Sequence, residues 1–126
     1  MDVTKVDPKK SQAAFAALAQ PTRLKAFRRL VAAHPAGLPA GDIAAFCKVP
    51  HNTMSTHLAA LMRGGLIAVT RDGRSMNYRA NLDGFRGLID FMLRECCGGR
   101  PEICAPVVEN FNTNCCAPIK KAKANV

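Results

Sequence analysis

The sequence lacks a Cys-x-x-Cys motif and a glycine-rich cofactor loop, and no obvious catalytic base accompanies its vicinal thiols. A thiol-redox or cofactor-dependent enzyme is thereby left without its usual working groups. No apolar run approaches the length of a membrane span, so no membrane partner is expected. The opening MDVTKVDPKK is charged where a secretory signal needs an apolar stretch, and the expected compartment is the cytoplasm, where thiols stay reduced. Acidic residues are scarce: 9 Asp and Glu against 18 Lys and Arg leave a net charge of +9. That excess makes nucleic acid the first partner to consider, because neutralising phosphates releases counterions. A basic surface with a basic KKAK tail would account for the charge equally well. No internal repeat is visible.

What is present is enough for one domain. The chain has 126 residues and an apolar fraction of 48%, which argues against disorder. Residues 1–10 are polar and expected to be flexible. From Ser11, SQAAFAALAQ has helical character with Phe15 and Leu18 on one face, and Pro21 suits the first position of a second helix. In that helix Leu24, Phe27 and Val31 recur at helical spacing, backed by Leu30. HPAGLPA reads as a turn, AGDIAAFCKV as a short helix, and PHNTMSTHLAALMRGG as a helix stopped by a glycine pair. The period then changes. Two extended runs flank Asp72-Gly73, the chemistry of a two-residue hairpin turn with positive φ at both positions. Helical spacing returns with Phe85, Leu88, Ile89 and Met92. The expected division is a flexible 1–10, a folded 11–97, and a cysteine-containing loop with a basic tail over 98–126.

This order, four helices, a hairpin and a last helix, is mainly α with a small β-hairpin, the layout of a winged helix-turn-helix whose second helix can enter a major groove. On the helix near residues 51–64, Met54, Leu58 and Leu61 fall on a core-facing side. The other side carries His51, Asn52, Thr53, Ser55, Thr56 and Arg63, suited to base edges and phosphates. No acid occurs from His51 to Gly65, although an ordinary solvated face would more often carry Glu. Arg71 and Arg74 flank the hairpin tip, where basic side chains can enter a minor groove or clamp phosphates. His57 is assigned a structural role beside Leu58.

The stretches ALAQPTRLKAFRRL, VPHNTMSTHLAALMRGGLI and RDGRSMNY resemble the ArsR/SmtB family of metal- and metalloid-responsive repressors, over roughly residues 12–104. The resemblance implies a winged helix-turn-helix homodimer, packed through its first and last helices, that leaves operator DNA when inducer binds. It implies no catalytic cofactor and no enzymatic activity. Two departures remove a capping side chain: Gln20 stands where the family often has Asp, and Pro50 where a capping Ser usually opens the recognition helix.

Family sensors place inducer sites differently. The third-helix stretch LPAGDIAAF has no cysteine, and GFRGLIDFMLREC offers Asp90 and Glu95 without histidine, so two of the family's sites are missing. Cys96, Cys97 and Cys104 remain, in an arrangement resembling the C-terminal arsenic site of one branch. Neighbouring Cα atoms lie about 3.8 Å apart, too close for Cys96 and Cys97 to bridge comfortably. Gly98, Gly99 and Pro101 can turn the chain and return Cys104 as a third donor. Three sulfurs without a fourth ligand suit trivalent arsenic or antimony, whereas zinc prefers four. A helix C-terminus disfavours thiolate, partly offset by Arg94 and Arg100. Cys115 and Cys116 form a second vicinal pair that could add ligands or do nothing. Cys47 reads as a small buried apolar residue. Methylarsenite, cadmium, lead or thiol oxidation remain open as signals, and a metalloid-binding or thiol-redox protein is the alternative of another class.

Overall fold

The computed structural model describes residues 7–95 and 97–114, with the side chains of 110–114 outside the description. The chain divides into two compact units, Met1–Phe91 and Met92–Val126.

The first unit begins with α1 (Pro8–Leu18) and α2 (Pro21–Ala33). Helix α1 starts inside the stretch expected to be flexible, because Asp7 accepts a hydrogen bond from the Lys9 N–H and Pro8 fills the first turn. Gln20 caps α2 despite its length: its side-chain oxygen accepts from the Arg23 N–H at 2.9 Å. The cap expected to be lost at that position is therefore present. Strand β1 (Leu38–Pro39) leads into α3 (Ala40–Cys47) and α4 (His51–Arg63), followed by β2 (Ile67–Asp72), β3 (Ser75–Ala80) and α5 (Leu82–Glu95).

HPAGLPA is thus only partly a turn. Leu38 and Pro39 pair with Tyr78 and Asn77 of β3, giving an antiparallel sheet of order β1-β3-β2. Pro39 lacks an N–H, and an edge strand is where that deficit is tolerated. Gly37 adopts φ 80°, and an added Cβ there would collide with Asn77, Tyr78 and Arg79. Asn77 fastens the approach by donating to the Ala36 carbonyl at 2.7 Å. The hairpin tip is shifted by one residue from the expected Asp72-Gly73: Asp72 pairs with Ser75, leaving Gly73 and Arg74 as the loop. Among the tip residues only Gly73 has positive φ, at 66°. That is the II′ arrangement, which needs positive φ at its first central position alone.

Ala26, Phe27 and Leu30 of α2, Ile43, Ala44 and Cys47 of α3, Met54, Leu58 and Leu61 of α4, and Leu66 form one buried cluster. Full burial of side chains such as Leu30 or Leu58 contributes roughly 1.5–3 kcal/mol each. The helical spacing of α4 is met at all three core positions. In α2 it is met only at Phe27 and Leu30. Leu24 and Val31 are exposed, because those positions rotate past the strip that α3 and α4 cover. Phe15, Phe85 and Met92 are likewise exposed.

The second unit contains the end of α5 and α6 (Pro101–Asn114). In place of the loop expected from Gly98 onward, a helix forms, because Pro101 provides a favourable start and Glu102 an acid in its first turn. Pro106 lies inside α6, where it removes one helical hydrogen bond.

Candidate nucleic-acid interface and cysteine site

Helix α4 sorts its side chains by face. Met54, Leu58 and Leu61 are at most 1% exposed, while His51, Asn52, Thr53, Ser55, Thr56 and Arg63 all face solvent. Pro50 supplies no side-chain cap, as expected, and the first N–H groups of α4 are left to other partners. Asn52 takes one of them, accepting from the Thr53 N–H at 2.9 Å. Ser55 donates to the His51 carbonyl at 3.2 Å and Thr56 to the Asn52 carbonyl at 3.5 Å. These bonds orient both hydroxyls while leaving their lone pairs outward as acceptors. Arg71 and Arg74 are exposed at the hairpin, Arg74 in the loop itself.

His57 sits between the two faces. Burial lowers its pKa, and the neighbouring Arg23 lowers it further. Arg23 is itself committed: its Nε donates to the Ala17 carbonyl at 2.8 Å, closing the C-terminus of α1. Cys47 is a buried free thiol whose pKa is pushed up by burial and drawn down somewhat by Lys25, in keeping with an apolar role.

The proposed cysteine set falls partly outside the described residues: Cys96, Cys115 and Cys116 all lie there. Cys97 and Cys104 are described, and they are joined as a disulfide with Cα atoms 6.3 Å apart. Gly98 and Gly99 both have positive φ, at 60° and 70°, and the Arg100 N–H donates to the Cys97 carbonyl at 3.0 Å. This turn delivers the first residues of α6 back toward Cys97. Cys104 Sγ lies 3.2 Å from the Leu93 carbonyl oxygen, and Cys97 Sγ 3.7 Å from that of Met92. One expected influence is diverted. Arg100 pairs with Glu102 at 2.9 Å, so its charge is shared with that carboxylate rather than directed to the thiols. Among the described residues no group of three or more His, Cys, Asp or Glu forms a metal cluster.

A family model described as a helix-turn-helix domain matches residues 18–70, the span from the end of α1 to β2. A solved structure described as a possible transcriptional regulator for arsenical resistance is 26% identical, with a TM-score of 0.55. It covers 61% of this chain and 77% of its own. The chain carries a helix-turn-helix domain in a winged fold similar to that of ArsR-type transcriptional regulators. An ArsR-like transcriptional regulator from Rhodococcus sp. RHA1 shares the fold at 23% identity and a TM-score of 0.63, over 84% of this chain and 93% of its own. So does a homodimeric winged helix-turn-helix DNA-binding domain from Mycobacterium bovis, a possible ArsR-family regulator. It is 21% identical over 95% of this chain and 96% of its own, with a TM-score of 0.58. No curated protein sequence matches the chain. Among the described residues of this helix-turn-helix protein, no helix is long and apolar enough to cross a membrane.

Proposed function

We propose that the protein is a homodimeric repressor that leaves its operator when trivalent arsenic or antimony is bound by Cys96, Cys97 and Cys104. The observation that carries this reading is the convergence of two of those sulfurs, seven residues apart, at a turn made by Gly98, Gly99 and Pro101. In the reduced protein the same turn presents two thiols together, with Cys96 adjacent in sequence. Condensation of As(OH)₃ with three thiols gives As(SR)₃ and three waters, so no oxidant is required and thiol protons leave with the water. The likeness to a possible regulator for arsenical resistance supports the choice of ligand.

On the DNA side, His51, Asn52, Thr53, Ser55, Thr56 and Arg63 read the major groove, and Arg71 and Arg74 hold the wing against phosphates or a minor groove. Phe15 on α1 and Phe85 on α5 supply exposed aromatic surface for the dimer. A thiolate cage at the end of α5 acts on a helix of that dimer, and a coupling of about 1–3 kcal/mol would weaken DNA binding about 5- to 150-fold.

The disulfide itself favours a second reading, in which oxidation of Cys97 and Cys104 is the signal. A gel-shift titration with reduced protein separates the two. Arsenite should release DNA, and Cys96→Ala, Cys97→Ala or Cys104→Ala should abolish that response. Release by diamide with no effect of arsenite would select the oxidation reading. If Cys104→Ala still responds to methylarsenite but not to arsenite, the inducer is the methylated form, held by two sulfurs. Reduced protein that shifts no duplex at low salt would sink both.

A further inference from the structure

Phe46 lies on the outward side of α3, 44% exposed, and two cations of α2 sit over it. Lys25 Nζ is 5.2 Å and Arg29 Cζ 5.1 Å from the ring centroid. Both cations are exposed, and among the described residues neither is paired with a carboxylate. Helix α2 carries Arg23, Lys25, Arg28 and Arg29 and no acid. Lys48, also exposed, lies two residues beyond Phe46 and three before His51, at the elbow between α3 and α4. Its backbone is left-handed, φ 60° and ψ 45°, where Gly or Asn sits with less strain. Asp42, one turn before Phe46, is the only acid in α3.

We propose that Lys25 and Arg29, set over the Phe46 ring, together with Lys48 at the elbow between α3 and α4, form an auxiliary phosphate surface that holds the DNA backbone beside the groove read by α4. The inference rests on the DNA-binding reading and extends it to residues outside the recognition helix and the wing. Charge complementarity selects the occupant: two cations over one ring and a third at the elbow, on helices that carry one acid between them, match a line of phosphates, and the sequence runs on into the first turn of α4. The ring holds the two α2 side chains by cation–π attraction, so less rotamer freedom is lost when a phosphate arrives. Interactions of this kind position the protein without reading bases.

The test uses a duplex selected from a random-sequence pool by the wild-type protein, with and without ten extra base pairs on each side. Affinity is measured between 50 and 200 mM salt. Replacing Lys25, Arg29 and Lys48 by Gln should weaken binding to every duplex alike and leave the selected sequence unchanged. It should lower the log–log salt slope by about 0.9 for each phosphate that is no longer neutralised. The gain that wild type draws from the longer duplex should disappear. Phe46→Ala keeps the charges and should lose part of the same affinity, and Lys48→Gly should bind more weakly while melting at higher temperature. Circular dichroism establishes that each variant is folded. Wild-type affinity, slope and flank dependence in the triple variant would overturn the proposal. So would normal DNA binding combined with lost control of transcription, which would assign the patch to an acidic protein. Failure of the wild-type protein to select any duplex is a separate result, and it removes the DNA-binding reading on which the proposal stands.

Discussion

Arg23 and His57 illustrate how single side chains in this fold serve its framework. Arg23 lies in the PTRL stretch that carries the family resemblance, and its guanidinium closes α1 by donating to the Ala17 carbonyl. Arg23→Ala should therefore lower stability by about 1 kcal/mol. That is a fall of about 4 °C in melting temperature for a chain of this size, measurable by circular dichroism. His57 has a folded pKa below its ordinary value, caused by burial and then by Arg23. The unfolded chain accordingly binds more protons once the pH drops below about 6.5. Stability is full above that pH and declines as the pH falls toward the folded value, then levels off. Chemical denaturation at pH 7.5 and 5 should show this loss, and His57→Gln should reduce it. Neither role is fully visible in the sequence. The neighbouring Leu58 places His57 in the framework, but the Arg23 bond spans two helices whose angle no local pattern encodes.

At the scale of elements, caps and turns account for most differences between expectation and structure. Gln20 has a longer side chain than the preferred caps, which makes the cap look lost in the sequence, yet it reaches the Arg23 N–H. Pro50 leaves α4 with no side-chain cap, and Pro50→Ser should stabilise the protein by about 0.5–1 kcal/mol, read as a higher midpoint in urea. Asn52 already satisfies the Thr53 N–H, so the gain belongs at the lower end of that range. The hairpin is legible in Asp72-Gly73, but its register moves by one residue because a II′ loop needs only one positive φ. β1 escapes a pattern-based reading since two residues carry no period. Its existence depends on Gly37 allowing close approach to β3. Gly37→Ala should be destabilising by well over the about 1 kcal/mol set by its positive φ alone, since the added Cβ also meets the Tyr78 carbonyl.

For the whole molecule, the prediction concerns association. Phe15, on α1, and Phe85, on α5, each leave 38% of their surface in water, and these rings are the aromatic surface proposed above for the dimer. Sedimentation at micromolar concentration should give twice the 13.5 kDa chain mass. Phe15→Glu with Phe85→Glu should shift the protein toward the single chain and weaken DNA binding with it, since two half-sites are then no longer held together.

The order of α1 to α5 with the hairpin, the core face of α4, and the solvent-facing polar set from His51 to Arg63 were determined by the sequence. These follow from periodicity and from turn chemistry, which act over a few residues. The basic surplus is equally plain from composition. What tertiary structure decided is which apolar side chains are covered, and which polar ones are tied to backbone. Leu24 and Val31 share a helical spacing with Phe27 and yet stay exposed, because coverage depends on where α3 and α4 lie. Lys25, Arg29 and Phe46 are far apart along the chain and form one patch only when α2 packs beside α3. Two glycines and a proline anticipate the approach of Cys104 to Cys97, but not the helix that carries Cys104. Three-dimensional closure of a turn sets which sulfurs meet, and spacing alone does not.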